Sequence, residues 1–176
     1  MIRSKLLMIA LICCNPIFAQ RLDLSPGVMT AGGQAMLKYH SDDIASWSGS
    51  NISLGIATTW GFFVIKDLAV VFDLNLTGQL SSGFDKNRRY QFGSGALYAI
   101  ETDTNLRPYF QLLAHGAYVE SGWSWGFSPS LGLLVGLSEQ VALDFGINSR
   151  FDFAISRQGT TQIDMGAGYV GIRAFF

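Results

Sequence analysis

The segment from residue 70 to 80 constrains the chain more than any other. Val70, Phe72, Leu74, Leu76 and Leu80 fall on one parity, and Asp73, Asn75, Thr77 and Gln79 on the other. Successive side chains of a β-strand point to opposite faces, so a strand here has one apolar and one polar face. The same pattern returns near the other end. Leu143, Phe145, Ile147, Phe151 and Phe153 alternate with Asp144, Gly146, Asn148, Arg150 and Asp152. Two such segments call for a sheet whose faces meet different solvents.

Six further segments of this kind lie between turn-rich stretches. The first sets Met29, Ala31, Ala35, Leu37 and Tyr39 against Thr30, Gly32, Gln34 and Lys38. The second sets Ile52, Leu54, Ile56, Trp60 and Phe62 against Asn51, Ser53, Gly55, Ala57 and Thr59. Segments at 88–100, 107–120 and 125–136 alternate less regularly. The eighth, 161–176, has an apolar set Gly168, Val170, Ile172, Ala174 and Phe176, with Tyr169, Gly171, Arg173 and Phe175 opposite. The connections also alternate. Brief turns at 65–67, 102–105 and 138–140 follow the even segments; stretches at 41–48, 81–87, 121–124 and 156–160, mostly longer and richer in Ser and Gly, follow the odd ones. Short turns at one rim and longer loops at the other characterise a membrane barrel, and an even strand count returns the chain to its starting side.

The first 19 residues read as a cleavable export signal. Arg3 and Lys5 precede an unbroken apolar run over 6–14, and Ala19 supplies a small residue before Gln20. The run is too short for a membrane-spanning helix, which needs about 20 residues. The expected division is a leader at 1–19 and a barrel domain at 20–176. Cys13 and Cys14, the two cysteines, both fall in the leader, so the mature chain has no disulfide and no thiol chemistry. A lipoprotein reading wants a small residue before the Cys, but Ile12 precedes Cys13. Loss of Arg3 and Lys5 from 12 basic residues leaves ten against 13 acidic ones, which argues against a nucleic-acid partner. Hydrophobic residues make up 49% of the chain and charged residues only 14%; soluble domains carry about 25% charged residues. An apolar chain without a long apolar run must hide its surface by alternation, as a barrel in lipid does. The expected place is the outer membrane of a Gram-negative cell, with outer-membrane lipid as its surroundings.

Three segments strengthen this reading. WGFFVIKDLAVVFDL and VGLSEQVALDFGI look like strand–tight turn–strand hairpins, and MGAGYVGIRAFF looks like a closing strand. With RPYFQLLAHGAY as a fifth strand, residues 28–176 resemble the small eight-stranded outer-membrane barrels, the group of OmpA-like, OmpX-like and opacity-type proteins. The resemblance implies an all-β, eight-stranded antiparallel up-and-down transmembrane β-barrel. It also implies that Phe176, ending an alternating strand, is the signal read by the barrel assembly machinery during biogenesis; Val170 and Ile172 fit its upstream apolar positions, while Ala174 is small where an aromatic is common.

Such a barrel has a narrow, filled interior. The polar faces would then bring Lys38, Asp73, Asn75, Asp144, Asn148, Arg150, Asp152 and Arg173 together as a structural network, joined by Gln34 and Gln111. Aromatic residues near the strand ends are expected to form two interfacial girdles: Trp60, Phe62, Phe63, Tyr98, Tyr109, Phe110, Phe175 and Phe176 at one, Tyr39, Trp47, Tyr118, Trp123, Trp125, Phe151 and Phe153 at the other. His115, with Glu120, Ser121 and Ser124 nearby in sequence, raises an alternative, a lipid hydrolase. Similar-sized lipid A deacylases place the nucleophilic Ser two residues after the His, where this chain has Ala117. A third reading, a soluble secreted barrel carrying a small apolar ligand, requires an apolar lumen and a polar exterior. No metal or cofactor motif appears: His40 and His115 lie far apart, and the glycines form no phosphate loop. The expectation is a non-enzymatic barrel with a structural or surface role and no catalytic, cofactor or metal site. The surface partner is unknown.

Overall fold

Eight antiparallel strands close on themselves in chain order: β1 (Met29–Ser41), β2 (Ser50–Ile65), β3 (Leu68–Gln79), β4 (Arg89–Ala99), β5 (Leu106–Val119), β6 (Gly122–Gly136), β7 (Val141–Ala154) and β8 (Thr161–Phe175). The computed structural model describes residues 21–41, 50–79, 88–119, 122–154 and 161–176. The expected leader at 1–19 and most of the expected longer connections lie outside these residues, as do Trp47, Leu80, Glu120 and Ser121. Each strand pairs with the next, and β1 closes on β8 over Thr30–Met36 and Tyr169–Phe175, which makes the sheet a closed barrel. Register shifts occur in the β2–β3 pair between Phe63 and Ile65 and in the β7–β8 pair between Ile147 and Ser149.

The alternation decides which face points in. On β2 the even positions Leu54, Ile56, Trp60, Phe62 and Val64 are exposed, while Ala57, Thr59 and Phe63 are buried. Phe72 and Leu74 on β3 point out, and Val71, Asp73, Asn75 and Thr77 point in. The less regular segment 88–100 alternates cleanly in space: Tyr90, Phe92 and Tyr98 are exposed between buried Arg89, Gln91, Leu97 and Ala99. Large apolar side chains therefore cover the outside and most polar ones line the inside. A soluble carrier requires the reverse arrangement.

Two rims differ in construction. One carries the tight connections and both ends of the described chain, and is called here the terminal rim. There Asp67 occupies the left-handed backbone region (φ 63°) in the two-residue turn between β2 and β3. Its N–H donates to the Leu24 carbonyl at 3.0 Å, and its own carbonyl accepts from Ala99 N–H at 2.8 Å. At the opposite rim β5 and β6 are separated by residues 120–121 alone, and β6 begins at Gly122 with φ 127°. The expected loop at 121–124 is thus shorter than the sequence suggested, and Ser124 is an inward-facing strand residue.

Residues 21–28, ahead of β1, fold back across the terminal mouth. Gly27 N–H donates to Phe63 O at 2.8 Å, and Phe63 N–H to Val28 O at 2.9 Å. Leu22 and Leu24 are buried in one cluster with Phe63, Val71, Leu97, Ala99, Leu134, Ala142 and Phe175. Three residues expected in the girdle, Phe63, Tyr109 and Phe175, belong to this interior. Their parity is opposite to that of Phe62, Phe110 and Phe176, which remain outside. The far girdle is more continuous than expected. Tyr118 and Phe92 both touch Trp123 (ring centroids 5.3 and 6.4 Å apart), Trp125 packs on Phe153 at 4.8 Å, and Phe127 stacks on Phe151 at 4.7 Å.

Candidate functional site: the lumen network

The lumen is stratified from one rim to the other. Nearest the terminal rim, above the apolar cluster, lies a knot around Asp144. Its Oδ2 accepts from Arg173 Nη2 at 2.7 Å, Arg173 Nε at 3.1 Å and Gln34 Nε2 at 2.9 Å. Its Oδ1 accepts from the Tyr109 hydroxyl at 2.6 Å, and Tyr109 in turn meets the Tyr169 hydroxyl. Asp144 and Arg173 are each only 1% exposed. A charge buried this deeply is tolerated only when paired and hydrogen-bonded, and both conditions hold here. The arginine also lies over the Tyr109 ring, 5.5 Å from its centroid.

Glycine makes room for this knot. Tyr109 pairs across strands with Gly132, and Tyr169 with Gly146. A Cβ at either glycine would collide with the facing tyrosine ring and hydroxyl. The two rings lie against bare backbone, which lets both hydroxyls converge on the center of a narrow barrel.

The middle layer is uncharged on most sides. Asn75 and Asn148 both direct Nδ2 toward Met36 Sδ, at 3.9 and 3.4 Å, and Thr77 Oγ1 donates to Asn75 Oδ1 at 3.0 Å. Thr59 Oγ1 donates to Asp73 Oδ2 at 3.3 Å. A polar cavity of about 20 Å³ among Gln91, Gln111, Ser128, Ser130 and Asn148 has room for one water. Gln91 Oε1 and Gln111 Oε1 are buried there with no protein donor, an arrangement that suits such a water. Met36, an apolar residue in a polar face, was not singled out in the sequence.

Toward the far rim, Asp152 is the hub. Its Oδ1 accepts from Arg89 Nη2 at 2.6 Å and lies 2.8 Å from His115 Nε2; its Oδ2 accepts from Arg150 Nε at 2.7 Å. His115 Nδ1 lies 3.0 Å from Ser128 Oγ. The carboxylate fixes the proton on Nε2, so in the neutral ring Nδ1 accepts from the Ser128 hydroxyl. His115 is therefore tied on both sides, by partners other than the neighbors Glu120, Ser121 and Ser124 in sequence. The order Ser–His–Asp is that of a nucleophilic relay. Yet its serine faces the water-sized cavity, and the imidazole is fully buried. A relay needs a substrate within reach of its nucleophile.

Of the eight residues expected in the lumen network, Asp144 and Arg173 form one knot, and Arg150 and Asp152 join the other. Asp73, Asn75 and Asn148 lie between them. Lys38 stands opposite Ser53 in the β1–β2 register, and its side chain is outside those described. Residues missed from sequence are Arg89, Tyr109 and Ser128; Tyr169 was expected on the inward face, but its meeting with Tyr109 was not. Arg107, also missed, is buried near the terminal rim, 3.9 Å from Asp67. Phe176 is exposed on the outside, its backbone exchanging hydrogen bonds with Met29. Among the described residues no three His, Cys, Asp or Glu side chains gather in a way that could hold a metal.

The architecture has solved counterparts. A crystal structure of neisserial surface protein A superposes with a TM-score of 0.61 at 21% identity, covering 85% of this chain and 97% of that one. A de novo designed transmembrane β-barrel matches with a TM-score of 0.50 at 15% identity, over 88% and 100% of the two chains. The all-β, eight-stranded antiparallel fold expected from sequence is the fold observed, and it is similar to small outer-membrane barrels. No protein-family model matches the chain, and no curated protein does.

Proposed function

We propose that this chain is an integral outer-membrane barrel, exported by the leader at 1–19, whose filled lumen makes it a structural or surface-presenting element of the envelope and not an enzyme. The observation that carries this reading is the inverted polarity of the wall. Ile56 and Ile172 are 61% and 58% exposed on the outside, while Asp144 and Arg173 are sealed inside. Soluble monomers rarely expose contiguous apolar patches beyond a few hundred Å². Outer-membrane lipid is the medium that removes that cost. The polar knots tie strands across the lumen, which favors a stabilising role over conduction.

Fractionation with detergent extraction tests the location: the barrel is expected in the detergent-soluble outer-membrane fraction, and recovery in the soluble periplasm would overturn the reading. Phe176 is proposed as the contact for the assembly machinery. Its deletion is expected to lower the yield of heat-modifiable barrel; unchanged yield would remove that role. A lipid hydrolysis assay tests the non-enzymatic reading, which predicts no activity in wild type or His115→Ala. Activity in wild type that His115→Ala abolishes would overturn it.

A further inference from the structure

The strands close the wall, but a separate segment closes the terminal mouth. Residues 21–28 belong to no strand and are held in two ways. Leu22 and Leu24 are buried in the apolar cluster with Phe63, Leu134 and Phe175. Three main-chain bonds fasten the segment to the end of β2 and its turn: Gly27 N–H to Phe63 O, Phe63 N–H to Val28 O and Asp67 N–H to Leu24 O.

An ion pair beside this segment is incompletely made. Arg107 and Asp67 are 2% and 7% exposed, and Arg107 Nη1 lies 3.9 Å from Asp67 Oδ1. The charges attract at that distance, but it is too long for a hydrogen bond. Arg107 Nε and Nη1 and Asp67 Oδ1 are sealed from solvent with no hydrogen-bond partner. Both residues line a cavity of about 290 Å³ whose other wall is the segment at 21–25. Leu134, the cross-strand partner of Arg107, packs in one cluster with Leu22 and Leu24. The seated segment therefore completes the seal over the pair.

Sealed donors and acceptors without partners cost more than apolar groups in the same place. That cost lasts only while the segment is seated, because water reaches both groups once it lifts. The leucines draw the segment down, and the unsatisfied pair works against them. Opposed contributions of this kind define an element with two states.

We propose that residues 21–28 form a lid that opens over the terminal mouth while the barrel stays folded, and that the Arg107–Asp67 pair is the device that keeps it able to open. Residue-resolved amide exchange by NMR on the mature barrel in detergent micelles, corrected for intrinsic rates, tests both parts. The Gly27 amide, bonded to Phe63 O, reports the lid, and amides of the β3–β4 ladder report the barrel. In wild type Gly27 is expected to exchange faster than the ladder and with a weaker dependence on added urea. Exchange of Gly27 at the rate of the ladder, with the same urea dependence, would overturn the lid. Arg107→Met combined with Asp67→Asn removes both charges, and Asn tolerates the left-handed turn position. Gly27 exchange is then expected to slow about tenfold while the ladder stays as in wild type. A pair that merely anchors the segment predicts the opposite sign, so unchanged or faster exchange would overturn its role. Arg107→Leu combined with Asp67→Gly carries the same test if the first double variant does not assemble.

Discussion

The two ends of the lumen solve the same problem with different chemistry. Toward the far rim the interior is filled by charge: Arg89, Arg150, His115 and Ser128 are drawn together around Asp152. At the terminal rim it is filled by hydrocarbon, with Leu22 and Leu24 from outside the strands completing a cluster around Phe63 and Phe175. The Asp144 knot marks the boundary between the two. Apolar packing has no directional demand and tolerates imported residues, so a tail can supply part of it. Charge must be matched atom by atom, and here the strands supply every described partner of Asp152.

This contrast predicts unequal responses to mutation. The largest effect is expected at the boundary knot. Arg173→Met leaves the Asp144 carboxylate buried without its cation, a loss of about 3–5 kcal/mol. Unfolding by urea in lipid vesicles, followed by tryptophan fluorescence, measures it. Adding Asp144→Leu is expected to recover most of that loss, because the unpaired charge goes with it; no recovery would show that the knot acts through something other than charge pairing. The apolar end is expected to respond less. Leu24→Ala should cost about 2 kcal/mol, at the low end for a buried leucine because a tail can resettle more easily than a strand. Gly146→Ala pushes Tyr169 and the neighboring backbone apart, for about 1–2 kcal/mol in the same assay.

The smallest effect is expected at the surface clasp. Glu101 pairs with Lys66 at 2.5 Å and with Arg21, and the Lys66 hydrogen bond holds its carboxyl below the usual range. A depressed folded-state pKa stabilises above the unfolded value and is lost as pH falls through the folded one. The tail should therefore loosen on acidification below the ordinary glutamate range, while Glu101→Gln should be loose at every pH. Amide hydrogen exchange of residues 22–24, corrected for the intrinsic pH dependence of exchange, reads this directly. A pH profile in which both proteins exchange alike would assign the tail's anchorage to Leu22 and Leu24 alone.

Period-two alternation made the wall legible before any coordinates, since parity alone sorts Phe72 and Leu74 outward from Asp73 and Asn75 inward. Segment 88–100 was harder because Gly93, Ser94, Gly95 and Ala96 carry little hydropathy contrast on either face. Phe63 and Phe175 lie near strand ends, where aromatics suggest a girdle, yet parity turns both inward, and the eighth segment already sets Phe175 beside Arg173 and opposite Phe176. Adjacent residues such as Phe62 and Phe63 cannot both face lipid, and that signal was present in the sequence. The partners within the lumen were not legible. Asp144 meets residues 34, 109 and 173 because closure of β1 on β8 sets the stagger of all eight strands, and local pattern carries no record of that offset. Arg-Leu-Asp-Leu at 21–24 does alternate, but so short a run ahead of Pro26 and Gly27 carries no sign that it folds back over the mouth.

The folded-back tail has a consequence for the order of events. Leu22 and Leu24 rest in a cluster with residues of β2, β4 and β8, so their seat is complete only after the first and last strands have met. The earliest residues of the barrel domain are then among the last to arrive. Protection of residues 22–24 is in effect a clock hand for closure: it stops moving when the final strand is in place.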